Sequence, residues 1–168
     1  MPSVSIEISF RDPRTYDVGS GGPENERPLK KGSGVGPHVH GTLSLRIGGE
    51  PVTGLGYFGD DDVCLKEWAQ TLTYAAERLQ STDPSRYVHE DGEQGSPAFI
   101  FERKGASVSI SIGPSEFDEP AGEAPEVIGS CGLEEFVVQV RKYLADLKAA
   151  VEEAAPGRSK KWLGKLRL

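Results

Sequence analysis

The amino-acid sequence predicts an α+β fold, with a mostly antiparallel sheet of about six strands and two amphipathic helices packed on one face. Three observations support this prediction. Several short segments alternate apolar and polar residues, which is typical of half-buried strands. Two longer segments repeat apolar residues at steps of three and four, which is typical of amphipathic helices. Turns rich in glycine and proline separate these segments in the order βββα-βββα, which favours antiparallel hairpins.

The first half of the chain contains three predicted strands and the first predicted helix. The strands span about 3–10, 39–48 and 51–58, and the helix spans about 61–80. Leu65, Trp68 and Leu72 recur at helical spacing and mark the buried side of that helix. We expect the preceding run Asp60–Asp62 to cap the first backbone N–H groups of the helix.

The second half repeats the same order. Its predicted strands span about 87–89, 98–103 and 107–112, and its helix spans about 133–154. The last two strands form a hairpin around Gly105, where Val108 and Ile110 alternate with serines. Residues 113–131 are rich in proline, glycine and acidic residues, and this composition predicts a loop.

The sequence predicts one α+β domain over 1–155, followed by a basic C-terminal tail over 156–168. Residues 11–37 are rich in glycine and proline, and we interpret them as a flexible insertion. For the tail, three interpretations remain open. It docks on the acidic body, it binds an anionic membrane or RNA, or it is frayed.

The charge of the chain is unevenly distributed. The 168 residues carry 19 basic and 26 acidic side chains, for a net charge of −7. Residues 158–168 hold five of the basic side chains and no acidic one, which leaves 14 basic against 26 acidic side chains in the remainder. An acidic body repels phosphate backbones, so we expect no nucleic acid to bind it and favour a basic protein partner.

The composition also bears on location and cofactors. The apolar runs are far shorter than the roughly 18 residues of a membrane span, and the N-terminus lacks the pattern of a secretory signal. We therefore expect a cytoplasmic protein with Cys64 and Cys131 as reduced thiols. No catalytic motif occurs, and we expect no cofactor and no metal site.

Several isolated motifs have structural interpretations. The pattern Gly54-x-Gly56-x-x-Gly59 matches a dinucleotide-binding motif by letter, but three acidic residues follow it, and we interpret it as a strand-to-helix corner. His38 and His40 share a strand face, and with His89 they offer three zinc ligands. We favour structural histidines, because no cysteine or acid stands at ligand spacing beside the pair.

The two cysteines have different predicted environments. Cys64 falls beside the apolar stripe of the first helix, which predicts a core residue. Cys131 precedes the second helix, whose N-terminus lowers thiol pKa values, whereas Glu134 and Glu135 oppose that effect. We therefore expect no reactive cysteine.

Two acidic loops, 89–95 and 116–126, are the candidate partner-binding surface. Carboxylates around an aromatic anchor are typical of a surface that binds a cationic partner, although charge runs are also common in solvated loops. The candidate residues are Glu90, Asp91, Glu93, Glu116, Phe117, Asp118, Glu119 and Glu123.

These features predict a non-enzymatic acidic binding protein. The concrete hypothesis is a bacterial immunity or antitoxin-like protein that neutralises a basic toxin or effector. One alternative is a small-molecule enzyme or ligand-binding module with a pocket between sheet and helices, lined by Tyr57, Trp68, Tyr87 or His89. A second alternative is a structural subunit of a larger assembly, and the oligomeric state is left open.

Overall fold

The computed structural model describes residues 6–17, 26–92, 95–115, 123–164 and 166. It confirms the α+β class. The strands form two antiparallel sheets, one of five strands and one of four, instead of a single sheet, and three helices accompany them in the described residues.

The first sheet is built around its longest pairing, between the first and third strands. Its strands are β1 (Ile6–Tyr16), β2 (Arg27–Pro28), β3 (His38–Ile47), β4 (Glu50–Pro51) and β5 (Val63–Cys64). They lie in the order β2-β1-β3-β4, and the two-residue β5 also pairs with β3. Val39, Leu43 and Leu45 of β3 are buried in the core. Alternation along the strand therefore puts His38 and His40 on the opposite face.

The second sheet follows the chain order. Its strands are β6 (Ser85–His89), β7 (Ala98–Lys104), β8 (Ser107–Gly113) and β9 (Glu126–Gly132), in the order β6-β7-β8-β9. The sequence did not predict β9, which falls in the predicted loop. Gly129, Ser130 and Gly132 give this segment a low strand propensity, and a register shift at Ile110 and Ser111 interrupts its pairing with β8.

Helices connect the two sheets. They are α1 (Leu65–Ser81), α2 (Leu133–Ala154) and α3 (Ser159–Leu163). The first helix contacts β3 and β6, and the second contacts β1 and β9, so each bridges both sheets. The fully buried Tyr143 donates a hydrogen bond to the carbonyl oxygen of Leu65 at 2.8 Å, which ties α2 to the start of α1. None of these helices has the length and apolarity needed to cross a membrane.

Two segments differ from their predicted structure. Where the sequence predicts a third strand over 51–58, the structure has the two-residue β4 (Glu50–Pro51) paired with β3, one further bond from the Val52 N–H to the Leu45 carbonyl oxygen, and then a loop up to β5. The hydrogen bond from the Leu55 backbone N–H to Asp60 Oδ1, at 2.7 Å, holds this loop. In the predicted insertion, residues 11–16 continue β1 across a bulge between Arg11 and Arg14, and Arg27–Pro28 pairs with Arg14 and Thr15.

Part of the predicted tail contacts the body of the protein. Trp162 in α3 is 9% exposed, and its indole N–H donates to the carbonyl oxygen of Gly36 at 3.0 Å. The Lys66 ammonium lies 5.1 Å from the centre of the Trp162 ring. Glu152 also accepts hydrogen bonds from Gly157 and Ser159, which fixes the turn between α2 and α3.

Candidate functional site

A cleft of about 350 Å³ lies beside the first sheet, between β3, the loop before β5, the start of α1 and the end of β6. Its walls carry a concentration of acidic, aromatic and imidazole side chains. The lining residues are Tyr16, Glu26, His40, Leu55, Gly56, Tyr57, Phe58, Asp62, Cys64, Glu67, Trp68, His89 and Asp91.

The cleft is acidic. Four carboxylates line it, those of Glu26, Asp62, Glu67 and Asp91, and no lysine or arginine does so among the described residues. Arg14 does not line the cleft but pairs with two of its carboxylates, with its Nε 2.8 Å from Glu26 and an Nη 3.3 Å from Asp62. This guanidinium offsets part of the charge of two carboxylates, so Glu67 and Asp91 are the main source of negative potential.

An exposed aromatic pair borders the cleft. Tyr57 and Phe58 are 58% and 82% exposed, and their rings meet edge to face with centroids 4.8 Å apart. Contiguous exposed apolar side chains are more informative than single ones, and aromatic residues are enriched at binding surfaces. The pair therefore makes this rim a candidate contact surface.

His40 is at the centre of a polar cluster on the wall of the cleft. Its Nδ1 lies 2.8 Å from Asp62 Oδ1, and its Nε2 lies 3.3 Å from the Tyr16 hydroxyl. Because a carboxylate only accepts hydrogen bonds, Nδ1 carries the proton. Hydrogen bonding to Cys64, and secondarily to Asp62, raises the pKa of His40 against the opposing effect of burial.

Strand pairing brings Cys64 into this cluster. Cys64 of β5 is the direct register partner of His40 in β3. Side chains directly opposite each other in an antiparallel pair share one face of the sheet. His38, two residues before His40, shares that face and stacks on Tyr16 with ring centroids 5.0 Å apart. The ligand atoms of His38, His40 and Cys64 all lie within 4.8 Å of one another.

His89 belongs to a different part of the cleft. Its Nδ1 lies 3.1 Å from the Thr71 hydroxyl, and its ring packs edge to face on Trp68. Burial lowers the pKa of His89 below its ordinary value of 6.5, although Glu67 and other carboxylates oppose this. Among the described residues, Cys64 and not His89 completes the cluster with His38 and His40.

The predicted partner-binding residues fall in two groups. Glu90, Asp91 and Glu123 together line a shallow surface depression beside β6. Asp91 also lines the cleft, so the two concave surfaces are adjacent. The other predicted residues, Glu93, Glu116, Phe117, Asp118 and Glu119, lie outside the described residues.

The sequence did not identify the roles of Cys64 and the acidic run before α1. Cys64 is half-buried and stands one residue before the helix, instead of in its core stripe. The residue at the N-cap makes no side-chain capping bond. Asp60 instead bonds the preceding loop, and Asp62 bonds His40. The spacings His38-x-His40 and Asp62-x-Cys64 are the signal in the sequence that relates these residues.

Cys131 is buried and does not belong to the cluster of His38, His40 and Cys64. It is 5% exposed, and burial, with a smaller effect from Glu135, raises the pKa of its thiol to about 12. The cost of burying a thiolate therefore exceeds any benefit from the start of α2.

The four residues that the sequence predicts for a ligand pocket do not all lie in the cleft. Tyr57, Trp68 and His89 line the cleft, whereas Tyr87 packs against Phe101 in the second sheet.

Comparison of the chain with protein-family models, curated proteins and solved structures finds no match. The function proposed below therefore rests on the geometry of this cleft.

Proposed function

We propose that this protein is a non-enzymatic binding protein whose cleft accepts a cationic segment of a protein partner. One observation carries the proposal. The cleft is lined by four carboxylates and, among the described residues, by no basic side chain, and it is bordered by the exposed pair Tyr57 and Phe58.

The two parts of this surface have different physical roles. Carboxylates attract a cationic partner over a Debye length of about 10 Å at 0.1 M salt, which speeds the encounter. Aromatic side chains bury a large apolar area at little entropic cost and slow dissociation. Glu90 and Glu123 line the adjacent depression with Asp91, against one basic side chain, Arg86, so a partner longer than the cleft meets further carboxylates there.

The partner class that fits this surface is a basic protein, and the specific form we propose is a toxin or effector with a cationic groove. Carboxylates on this chain would occupy the positions that phosphates take in such a groove, as in an immunity or antitoxin-like protein. The proposal places the protein in the cytoplasm, because its two cysteines are free thiols and thiols stay reduced in that compartment.

A titration with a fluorescein-labelled, lysine-rich peptide tests the proposal, with fluorescence anisotropy as the readout. We expect the double variant Glu67→Gln, Asp91→Asn to weaken binding about tenfold, since two favourable charges are lost. We expect Tyr57→Ala with Phe58→Ala to weaken binding by a similar factor while leaving its salt dependence unchanged.

The matched control is Glu77→Gln with Glu153→Gln. Both residues are exposed and lie on α1 and α2 away from the cleft lining. This control removes the same net charge, so only general attraction should change, by about twofold or less. Equal losses in the control and the cleft variant would refute the cleft as the binding surface.

The second candidate function is a small-molecule enzyme or ligand-binding module. It is favoured by the series Cys64, His40 and Asp62, because thiol, imidazole and carboxylate in this order resemble the arrangement of nucleophilic catalysis. An activated thiol alkylates with iodoacetamide faster than glutathione at neutral pH, and His40→Gln would abolish the difference. Equal rates for the wild type and glutathione would count against an enzyme.

A further inference from the structure

The pairing of β3 with β5 converts three distant residues into one set of metal ligands. His38 and His40 alternate along β3 and share a face, and the register places Cys64 directly opposite His40. These positions are fixed by backbone hydrogen bonds of the sheet, so the donor set is held by regular structure. The sequence lacks this information, because 23 residues lie between His40 and Cys64.

The donor atoms are close to the separation that a cation requires. In tetrahedral zinc sites, Zn–N distances of about 2.0–2.1 Å and Zn–S distances of about 2.3 Å place ligand atoms about 3.3–3.6 Å apart. The three donors here lie within 4.8 Å of one another. Side-chain rotations that move each donor by about 1 Å therefore close the site without a change in the strands.

Asp62 prepares His40 for this role. It accepts the Nδ1 proton at 2.8 Å, which fixes the tautomer and directs the lone pair of Nε2 away from Asp62. A histidine ligand commonly donates its other ring N–H to a carboxylate in this way. The Tyr16 hydroxyl lies 3.3 Å from Nε2, and it must turn aside when a cation takes that nitrogen.

The chemistry of the donors selects the cation. Two imidazoles and a thiolate suit zinc, whereas calcium and magnesium prefer oxygen ligands. All three residues are half-buried, so they are partly desolvated and yet accessible to solvent. His40 and Cys64 line the cleft, and a fourth coordination position would therefore face it.

From these observations we infer that His38, His40 and Cys64 bind one Zn²⁺ ion, with Asp62 as the residue that positions His40. Zinc binding does not require the cationic partner proposed above, because Asp62 is the one carboxylate that the two proposals share. It is an alternative to the second candidate function, since a zinc-bound Cys64 is not a free nucleophile. It also replaces our expectation from the sequence that the chain has no metal site.

Cobalt substitution of the full-length, metal-free protein tests the inference. Cobalt(II) takes the same ligands as zinc and reports a bound thiolate through a charge-transfer band in the near ultraviolet. We expect one Co²⁺ per chain with this band, together with visible transitions typical of tetrahedral coordination. Added Zn²⁺ should displace the cobalt and abolish both signals, in line with the higher affinity of such sites for zinc.

Variants identify the ligands. Cys64→Ser should abolish the charge-transfer band, and His38→Gln or His40→Gln should weaken binding at least tenfold. Asp62→Asn should retain the band and weaken affinity about tenfold, as expected of a positioning residue. The matched controls Cys131→Ser and His89→Gln should bind cobalt like the wild type, because neither residue belongs to the cluster.

Two results would overturn the inference. One is a wild-type protein without the charge-transfer band at saturating cobalt. The other is a folded Cys64→Ser variant, as judged by circular dichroism, that retains the band or the wild-type affinity. Peptide binding by Glu67 and Asp91 is tested separately, and adding a chelator to that titration keeps the two results distinct.

Discussion

At the scale of single residues, burial determines what each titratable side chain of this protein can do. Cys64 and Cys131 have the same functional group, but Cys64 is half-buried in a cleft and Cys131 is buried beside α2. His40 and His89 line the same cleft, yet their pKa values shift in opposite directions. The difference arises because His40 bonds a thiol and a carboxylate, whereas desolvation dominates at His89.

The contrast between the cysteines predicts selective alkylation. In the metal-free protein at about pH 8, iodoacetamide should modify Cys64 and leave Cys131 intact, because burial raises the pKa of the Cys131 thiol to about 12 and excludes the reagent. Peptide mass spectrometry after a short exposure measures both sites. Cys64→Ser should abolish labelling and Cys131→Ser should retain it. Equal modification of both cysteines in the native protein would contradict this expectation.

The depressed pKa of His89 predicts a contribution to acid sensitivity. The unfolded chain takes up a proton here near pH 6.5, whereas the folded protein does so only at lower pH. The free energy of unfolding therefore falls as the pH drops through this window. In His89→Gln, urea unfolding should show a smaller loss of stability between about pH 7 and pH 5 than in the wild type.

Thr71→Val provides the control for that measurement. It removes the hydrogen-bonding partner of His89 but retains the titrating ring. We expect this variant to be less stable at both pH values and to keep the pH-dependent loss. Glu67, Glu90 and Asp91 act on His89 in the opposite sense and are unchanged in both variants. An unchanged loss in His89→Gln would assign the acid sensitivity to other groups.

At the scale of elements, the two sheets meet where β9 passes close to the end of β3. A Cβ atom on Gly129 would lie 2.8 Å from the backbone oxygen of Ile47. Such a contact is too close to be tolerated, and the oxygen belongs to a strand that cannot easily move. The glycine in β9 is therefore required for the approach of the two sheets.

Replacement of Gly129 should be costly for this reason. We expect Gly129→Ala to lower the free energy of unfolding by about 1–3 kcal/mol, the usual range for overpacking. Gly132→Ala in the same strand is the control, since its Cβ would meet nothing closer than 3.9 Å. That change affects only the start of α2 and should cost about 0.5 kcal/mol. Equal losses in urea unfolding would exclude a steric cause.

The elements also show which structural features follow from local sequence. The second helix begins and ends where its apolar periodicity predicts, at Leu133 and Ala154, because its pattern spans six turns. The first helix begins four residues later than predicted, because Asp60 and Asp62 bond other groups instead of capping it. Periodicity gives no information about such competing partners.

The candidate site was less predictable than the helices. Its cysteine lies in a two-residue strand, which is too short to show any alternation. The partnership of His40 with Cys64 is a choice of register between distant segments, and single-sequence patterns do not determine it. The acidic character of the protein was evident from composition, whereas the aromatic pair at the rim required the loop geometry.

At the scale of the whole molecule, α3 packs the C-terminal region against the segment before β3 and the start of α1. Trp162 is largely buried, and it bonds the backbone of Gly36 and stacks below Lys66. Trp162→Ala should lower the free energy of unfolding by about 3 kcal/mol, through lost burial and an unpaired carbonyl. The exposed Lys161→Ala is the control and should change stability by less than about 0.5 kcal/mol. A loss below about 1 kcal/mol for Trp162→Ala would indicate weak docking.

The hydrogen bonds of Gly36 bear on how the protein unfolds. Its N–H bonds the Thr15 hydroxyl, its carbonyl oxygen accepts the Trp162 indole, and it stands two residues before His38. β1, β3 and α3 are therefore linked through the backbone N–H and C=O groups of a single residue. Breaking these hydrogen bonds of Gly36 would release all three elements together, so we expect the chain to unfold in one cooperative step. We also expect the Gly36 amide to exchange as slowly as the buried amides of the core strands.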